Sequence, residues 1–474
     1  MPAPSARPNI IVLNTDQQRF DTIAATGNDV MHTPNLDRLA ESGAVLERFY
    51  VQAPVCMPSR ASMMSGQYPN STGVTCNGPR MPEDVRCIQH MLGDAGYFTG
   101  VIGKLHFLPH SARDHREPHP RYGFDHLQIC DEPGCYRDAY REWVSEQDPS
   151  QLDAVNCGLP PARAQWEQMM GWEGTVRPPI AREGFEPQIF EAPDHLTNAS
   201  FVADRSAQFL RERDSRPFFL WAGFYHPHSP LIPPQSFVDL YDLEDIPLPP
   251  GGPRATTPDG DRDLTDDELR EIRRAYYAMV SDVDRNVGHV LDALDDLGLR
   301  ENTIVVFTSD HGEYIGEHGR FGKGTPGYDC IMHVPCLISY PARIEAGTRV
   351  SGMMEAVDLA PTLLEYAGVV REPSLQGRSM CDLIDGDDAA ARESVYGEYA
   401  SPGRTNWAMA RTAEWFYAYD ALGGEVLFDL LNDPDELHSV ANNSDFAAPL
   451  CEMRELALKR SLDARPNARL AARY

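Results

Sequence analysis

The chain has 474 residues, of which 42% are hydrophobic and 9% aromatic, a composition that supports a large packed core. Its formal net charge is −29, from 71 acidic and 42 basic residues, so its surface repels phosphate backbones and anionic lipids. This charge argues against nucleic-acid partners and membrane binding, and it requires a locally positive site if the substrate is an anion.

The N-terminal stretch MPAPSARPNIIVLN has no basic segment followed by an apolar run, and no stretch of the chain approaches 18 apolar residues. We therefore expect neither a signal peptide nor a membrane span, which favours a cytoplasmic location. The ten cysteines contain no Cys-x-x-Cys pair. We expect most of them to be reduced and buried, and the pattern argues against a zinc site built from cysteine.

Four short apolar runs predict buried parallel strands, at residues 9–15, 98–103, 217–225 and 303–309. Helical patterns lie between them at residues 36–44 and 87–97. The longest helical pattern runs from Thr265, which fits a capping box with Glu268, to about Gly298. This alternation predicts an α/β fold with a large, mostly parallel sheet flanked by helices.

The amino-acid composition and the length of the apolar runs change outside these elements. Residues 105–200 and 243–263 are rich in proline, glycine and charge, and we expect loops and short helices there rather than sheet core. Beyond about residue 385 the apolar runs become shorter and are separated by turns. We predict a catalytic α/β domain at residues 1–385 and a smaller C-terminal α+β domain at 386–474, which ends in a helix with a loose basic tail.

Charged or titratable residues follow each of the four predicted strands. They are Asp16, Gln17, Lys104, His106, His226, His228, Asp310 and His311. Each alone has an ordinary explanation, such as a helix cap, a turn or a solvated side chain. Because ligands of open α/β sheets bind at the carboxyl ends of the strands, their convergence favours a functional site. Asp16, Gln17, Asp310 and His311 offer mostly hard oxygen ligands, which suit Ca²⁺ better than Mg²⁺ or Mn²⁺.

The segment CMPSR, residues 56–60, predicts the start of a helix that ends near Gly66. A cysteine just before a helix start faces unpaired backbone N–H groups. The positively charged guanidinium of Arg60 adds further N–H donors that can bind an oxyanion. A thiolate at Cys56 would then have a low pKa and could act as a nucleophile. The alternative, a buried structural cysteine, does not explain the residues that follow it.

This segment resembles the Cys-x-Pro-Ser-Arg signature of the type I sulfatases, in the alkaline phosphatase superfamily. Further segments resemble sulfatase segments in family order, from about residue 8 to 441 apart from 110–200. They read TPNLDRLAESG, SRASMMSGQYP, GKLHF, HPHSPLIPP, TSDHGEYIGEHG, FGKG, HVPCLI and LFDLLNDPDE. The pattern is most similar to the iduronate-2-sulfatase and choline-sulfatase side of the family, and it implies an alkaline phosphatase-like fold and hydrolysis of sulfate esters.

The resemblance implies that a maturation enzyme converts Cys56 to formylglycine. Its hydrate then attacks sulfur with one hydroxyl, made more acidic by the metal, and expels sulfate when the second hydroxyl loses its proton. The metal would be held by Asp16, Asp310, His311 and the modified Cys56, with Gln17 where many members have a second aspartate.

Roles for the remaining residues also follow from the resemblance. Arg60 would stabilise the hydrate, and Lys104 and Lys323 would hold the sulfate oxygens. His106 would lie beside the hydrate and help to release sulfate. His228 would protonate the leaving oxygen, with His226 as a weaker candidate.

Two other functions remain open from the sequence. A phosphonate monoester hydrolase or phosphodiesterase of the same superfamily also uses formylglycine, although the GKLH segment favours a sulfatase. A non-catalytic binder of sulfated carbohydrate would not need every catalytic residue type. The loop sequences do not identify the alcohol of the ester, which could be a small molecule or a carbohydrate. The oligomeric state also stays open.

Overall fold

The computed structural model describes residues 7–109, 117–133, 138–155, 185–252, 254–257, 262–403 and 405–465. The predicted loose tail beyond residue 465 lies outside these ranges. Within them, none of the helices has both the length and the apolar character needed to cross a bilayer.

One large sheet organises the N-terminal four-fifths of the chain. Its strands are β1 (Asn9–Asp16), β2 (Ala44–Tyr50), β3 (Phe98–Gly103), β4 (His126–Ile129), β5 (Phe218–Pro227), β6 (Thr303–Ser309), β7 (Cys336–Ser339) and β8 (Thr348–Glu355). They lie in the order β4-β3-β5-β1-β6-β7-β2-β8. All neighbours pair in parallel except β7, which is antiparallel to β6 and to β2. The prediction of a mostly parallel mixed sheet is confirmed.

Helices cover both faces of this sheet. The α-helices of the described residues, in chain order, are α1 (Pro34–Glu41), α2 (Cys56–Ser65), α3 (Pro69–Thr72), α4 (Ile88–Asp94), α5 (Ala139–Gln147), α6 (Asn198–Glu212), α7 (Gln235–Val238), α8 (Asp266–Asp296), α9 (Asp329–Met332), α10 (Leu359–Tyr366), α11 (Cys381–Ile384) and α12 (Ala447–Asp463), the last of which belongs to the C-terminal part. The predicted capping box of α8 is present. Glu268 N–H donates to Thr265 Oγ1 over 3.2 Å, and the Glu268 carboxylate accepts from Thr265 N–H over 2.8 Å.

The central strand β1 is buried on both faces, as a continuous apolar run predicts. Ile10 and Val12 point into a core that includes residues of α2, α4 and α10. Ile11 and Leu13 point into the opposite core, which α6 and α8 cover. The sheet is therefore held between two helical layers, and its strand ends form an edge where loops meet.

A second, antiparallel sheet follows near the C-terminus. Its strands are β9 (Val395–Ser401), β10 (Thr405–Arg411), β11 (Trp415–Asp420) and β12 (Gly424–Asp429), in the order β12-β11-β10-β9, and α12 packs against it. This confirms a smaller C-terminal α+β part with short strands separated by turns. The domain boundary at residue 385 stays a prediction.

We expected loops and short helices rather than sheet core at residues 105–200, and the described part of this stretch also contains one edge strand. β4 pairs in parallel with β3 as an edge strand, from Gly100 opposite His126 to Gly103 opposite Ile129. All four β4 residues are only half-buried, because an edge strand lacks a neighbour on one side. Its sequence HLQI therefore has no continuous apolar run by which to recognise it.

Of the eight cysteines in the described ranges, none forms a disulfide, as expected. Six are buried, Cys330 is half-buried and Cys451 is exposed.

Candidate active site

The ends of β1 and β6 and the start of α2 meet at one point. Asp16 is the last residue of β1, and Asp310 and His311 directly follow β6, its parallel neighbour. Cys56 is the first residue of α2. One ligand atom from each of these four buried residues lies within 4.8 Å of the others. We call Asp16, Cys56, Asp310 and His311 the metal group.

Helix α2 begins at Cys56 rather than just after it, a shift of one residue from the predicted start. The preceding Val55 is extended, with φ −150° and ψ 160°, and Gly66 ends the helix in the left-handed region at φ 64°. Every residue of α2 is buried. The Ser59 hydroxyl donates to the Asp310 carbonyl over 2.5 Å, so the first turn of the helix is fixed against the end of β6.

The Cys56 thiol lies among the metal group and one lysine. Its Sγ is 3.2 Å from His311 Nε2, 3.6 Å from Asp16 Oδ1 and 2.7 Å from Lys323 Nζ. Burial and then the negative charge of Asp16 raise the pKa of Cys56 to about 12, although Lys323 opposes the rise. The predicted low pKa was wrong, because desolvation and two carboxylates outweigh the helix start. The unmodified thiol therefore stays protonated near neutral pH.

Arg60 is fully buried and joins the two carboxylates. Its Nε donates to Asp310 Oδ2 over 2.6 Å and its Nη2 to Asp16 Oδ2 over 3.2 Å. Nη1 donates to the Lys104 carbonyl over 2.9 Å. The guanidinium thus offsets the charge of the metal group and fixes both carboxylates in place.

Two lysines bring further positive charge to the site. Lys104, which follows β3, is fully buried with its Nζ 2.9 Å from Asp16 Oδ2. Burial disfavours its charge, but Asp16 and Glu132 keep the pKa of Lys104 above its usual value, so it remains a cation. Lys323 Nζ, from the loop after β6, donates to Cys56 Sγ and lies 2.9 Å from His228 Nε2.

The two histidines after β5 have different surroundings. His228 Nδ1 lies 2.5 Å from the Ser229 carbonyl, which can only accept, so Nδ1 carries the hydrogen and Nε2 faces Lys323. Burial and Lys323 hold the pKa of His228 well below its usual value. His226 Nδ1 instead lies 3.6 Å from Asp282 Oδ2 in α8. The structure thus brings His228 to the metal group and directs His226 toward α8.

Gln17 has an unusual conformation for a residue with a side chain, at φ 69°. Its N–H donates to Asp310 Oδ1 over 3.0 Å, and its side-chain Nε2 donates to Glu313. Its Oε1 is buried without a protein hydrogen-bond partner. The two carboxylates and the imidazole of the metal group are a donor set that fits a divalent cation, and the unpartnered amide oxygen of Gln17 is a further oxygen that could accept a bond.

The backbone N–H of His106 donates to Asp131 Oδ1 over 2.8 Å, and the residue is buried at φ 55°. This bond ties the end of the β3 loop to the segment after β4. The role of the His106 ring beside a hydrate stays a prediction.

Sequence reasoning missed two residues that contact this site. Glu132, three residues after the end of the unpredicted β4, has its Oε1 3.9 Å from Lys104 Nζ, and burial raises its pKa to about 7. Tyr225, near the end of β5, has its ring centroid 4.6 Å from Lys104 Nζ. The rule that strand ends carry functional residues would have found Glu132 had β4 been recognised, whereas Tyr225 reads as one more buried aromatic residue.

Comparison with known proteins agrees with this geometry. The family model described as Sulfatase matches residues 8–369, and a model described as the C-terminal part of N-sulphoglucosamine sulphohydrolase matches residues 316–461. The chain is 31% identical to an arylsulfatase of Clostridium perfringens, over 96% of this chain and 94% of that protein. It is 29% identical to a choline-sulfatase of Rhizobium meliloti, over 93% of this chain and 83% of that protein.

The fold is also similar to that of a solved phosphonate monoester hydrolase of Agrobacterium radiobacter. The TM-score is 0.81 at 24% sequence identity, and the match covers 96% of each chain. At this identity the likeness concerns the fold. The family model covers most of the chain and includes all four residues of the metal group, which confirms the resemblance drawn from the sequence. The chain therefore belongs to the sulfatase family, within the alkaline phosphatase superfamily.

Proposed function

We propose that the chain hydrolyses sulfate monoesters to an alcohol and inorganic sulfate, using a formylglycine made from Cys56 and a divalent metal, Ca²⁺ before Mg²⁺ or Mn²⁺. The observation that carries this proposal is the metal group. Four buried residues from distant parts of the chain offer ligand atoms within 4.8 Å of one another, with Lys323 Nζ 2.7 Å from Cys56 Sγ.

Asp16, Asp310, His311 and the amide oxygen of Gln17 would hold the metal. A bound divalent cation offsets the two carboxylates and lowers the pKa of a neighbouring hydroxyl. The oxygen-rich donor set favours Ca²⁺, since hard cations of this size accept carboxylate and amide oxygens. Arg60 keeps Asp16 and Asp310 oriented whether or not the cation is bound, because its bonds to both are made within the protein.

The raised pKa of Cys56 in the folded site favours a modified side chain as the nucleophile, since a protonated thiol is a poor nucleophile and a poor metal ligand. Formylglycine hydrate supplies one hydroxyl for attack on sulfur and a second whose deprotonation releases sulfate and restores the aldehyde. Neither cysteine nor serine can perform that release without a second attack by water. The Cys56 thiol marks where the hydroxyls of the hydrate would lie, next to Lys323 and His311.

The lysines would bind the sulfate group. Lys104 and Lys323 are cations within 2.9 Å and 3.9 Å of Asp16, so they face the space in front of the metal group. They provide the local positive field that a chain of net charge −29 needs if it is to bind an anion.

The Lys323–His228 pair would supply the proton to the leaving oxygen. Lys323 donates to His228 Nε2 over 2.9 Å, so a proton can pass between them without rearrangement. Since the pKa of His228 is held low, the resting proton stays on Lys323. His106 would assist release of sulfate from its buried position after β3.

The chemistry of the substrate follows from the relatives only in outline. One relative is named for aryl sulfates and another for choline sulfate, so we propose a small-molecule or carbohydrate sulfate ester. A maturation enzyme that forms formylglycine is a required partner, and we propose a cytoplasmic location.

A phosphonate monoester hydrolase is the second candidate, supported by the fold of the Agrobacterium enzyme and by Gln17 at the position of a second aspartate. The test compares kcat/KM for an aryl sulfate, an aryl phosphate and a phenyl phosphonate ester at fixed metal content. We expect the sulfate to be preferred. A preference of ten-fold or more for the phosphonate, about 1.4 kcal/mol of transition-state binding, would reverse the assignment. If the protein hydrolyses none of the three esters, a non-catalytic binder of sulfated carbohydrate is the remaining candidate.

A further inference from the structure

Tyr225 contacts two groups that belong to different parts of the proposed reaction. Its buried ring lies under Lys104, with the ring centroid 4.6 Å from Nζ. The same ring lies beside His228, with the centroids 4.9 Å apart and the planes inclined at 40°. Lys104 follows β3 and His228 follows β5, so one aromatic side chain spans the two strand ends.

The hydroxyl of Tyr225 makes a second link to His228. It donates to the Ser229 carbonyl over 2.8 Å, and the same carbonyl accepts from His228 Nδ1 over 2.5 Å. A carbonyl oxygen has two lone pairs, so it can accept both bonds at once. The tyrosine thereby fixes the carbonyl that determines which nitrogen of His228 carries the hydrogen.

Glu132 completes this arrangement on the other side. Its Oε2 lies 3.3 Å from the Tyr225 hydroxyl, and its Oε1 lies 3.9 Å from Lys104 Nζ. The ammonium group is therefore held between a ring face, Glu132 and Asp16, whose Oδ2 is 2.9 Å away. A cation over an aromatic face in a buried site is stabilised without losing its charge.

We infer that Tyr225 is a positioning residue with two roles. Its hydroxyl orients His228 for proton transfer to the leaving oxygen, and its ring supports the sulfate-binding Lys104. This inference rests on the proposed sulfate ester hydrolysis and deepens it. The two roles can be separated by substitution, because Tyr225→Phe removes the hydroxyl and keeps the ring, whereas Tyr225→Leu removes both.

Removal of the hydroxyl should affect substrates unequally. Esters of weakly acidic alcohols need protonation of the leaving oxygen in the transition state, whereas a nitrophenol leaves without much help. In Tyr225→Phe we therefore expect kcat to fall about ten-fold for an alkyl sulfate, the loss of one well-placed hydrogen bond, and only about two-fold for nitrophenyl sulfate. The inhibition constant of inorganic sulfate should change by less than about two-fold, because the ring remains.

Removal of the ring should add a binding defect. In Tyr225→Leu we expect the inhibition constant of inorganic sulfate to rise about five-fold, as the cation–π contact with Lys104 is lost. The matched control is Tyr97→Phe. Tyr97 is equally buried, and its hydroxyl also donates to a backbone carbonyl, that of Pro8 over 2.9 Å, but it precedes β3. We expect this variant to keep the wild-type ratio of alkyl to aryl turnover.

The experiment measures kcat, KM and sulfate inhibition for the metal-loaded wild type, these three variants, and Tyr225→Phe in a His228→Ala background. In the His228→Ala background, Tyr225→Phe should no longer change the ratio of alkyl to aryl turnover, since the hydroxyl acts through the histidine. Equal losses on both substrates in Tyr225→Phe, or the same change of that ratio with and without His228, would reduce Tyr225 to a structural role. If the wild type hydrolyses neither sulfate, the proposed function fails and the inference with it. If Tyr225→Phe does not fold, Tyr225→Leu alone decides the claim about Lys104.

Discussion

Arg60 compensates two buried carboxylates, which makes Arg60→Met an informative perturbation. In the wild type Arg60 donates to Asp310 over 2.6 Å and to Asp16 over 3.2 Å, and all three side chains are fully buried. Methionine preserves the apolar length of the arginine stem and removes the charge and both bonds. Asp16 then keeps Lys104 Nζ at 2.9 Å and Lys323 Nζ at 3.9 Å as cationic partners, whereas Asp310 loses the arginine that pairs with it.

Removal of one partner from a buried ion pair lowers the free energy of unfolding by about 3–5 kcal/mol. For a chain of 474 residues the entropy of unfolding is about 1 kcal/mol per kelvin, so the melting temperature of the metal-free variant should fall by about 3–5 °C. A divalent cation offsets the same carboxylates. Its addition should therefore raise the melting temperature more in Arg60→Met than in the wild type, because binding meets less opposing positive charge.

Thermal melts in chelator and in saturating Ca²⁺ measure both quantities. Arg392→Met is the matched control, since Arg392 is also buried between two carboxylates, 2.8 Å from Asp358 and 3.1 Å from Glu355, outside the metal group. It should lose stability to a similar degree and show the wild-type response to Ca²⁺. The reasoning fails if Arg60→Met and Arg392→Met respond alike to the cation, or if the wild type does not respond at all.

Two further predictions concern single side chains. Cys56→Ala should lower turnover by at least about 10³-fold with little change in melting temperature, and mass spectrometry should find the active wild type modified at Cys56; full activity with an unmodified cysteine would contradict this. Burial and then Arg320 lower the pKa of His318 to about 4, below its ordinary value of 6.5. The unfolded chain therefore binds more protons between these values, and stability is lost as the pH falls from about 6.5 toward 4. His318→Gln should reduce that loss by about 1 kcal/mol in melts across this range, allowing for partial exposure, and an identical pH profile would exclude it.

The central sheet was predictable because β1, β3, β5 and β6 are continuous apolar runs. Strands buried on both faces read as nearly continuous apolar runs, which makes them easy to identify. The expectation that ligands bind at the carboxyl ends of parallel strands then identified Asp16, Lys104, Asp310 and His311 as site residues from the sequence alone. Each of these residues lies where a parallel strand leaves the sheet, so the topology alone fixes their neighbourhood.

Other features depend on contacts that have no local signal. β2 and β8 have exposed residues within the strand, and β4 is half-buried throughout, so no continuous apolar run identifies them. The pKa of Cys56 depends on Asp16 and Asp310, which reach it only through tertiary structure. His226 and His228 lie two positions apart after the apolar run of β5, and the contact of His226 with Asp282 depends on where α8 packs, which the sequence does not show.

The burial of Cys56 also has a consequence for the order of events during synthesis. Cys56 is 1% exposed, and its contact Lys323 lies 267 positions further along the chain. At usual rates of translation the ribosome needs roughly 15 to 50 seconds to cover that distance. Until then β1 lacks its partner β6, and the native cover of Cys56 does not exist. The conversion proposed for Cys56 can therefore take place during this interval, before the sheet closes. In that case the speed of translation would limit the fraction of chains that mature, and no opening of the folded protein would be needed.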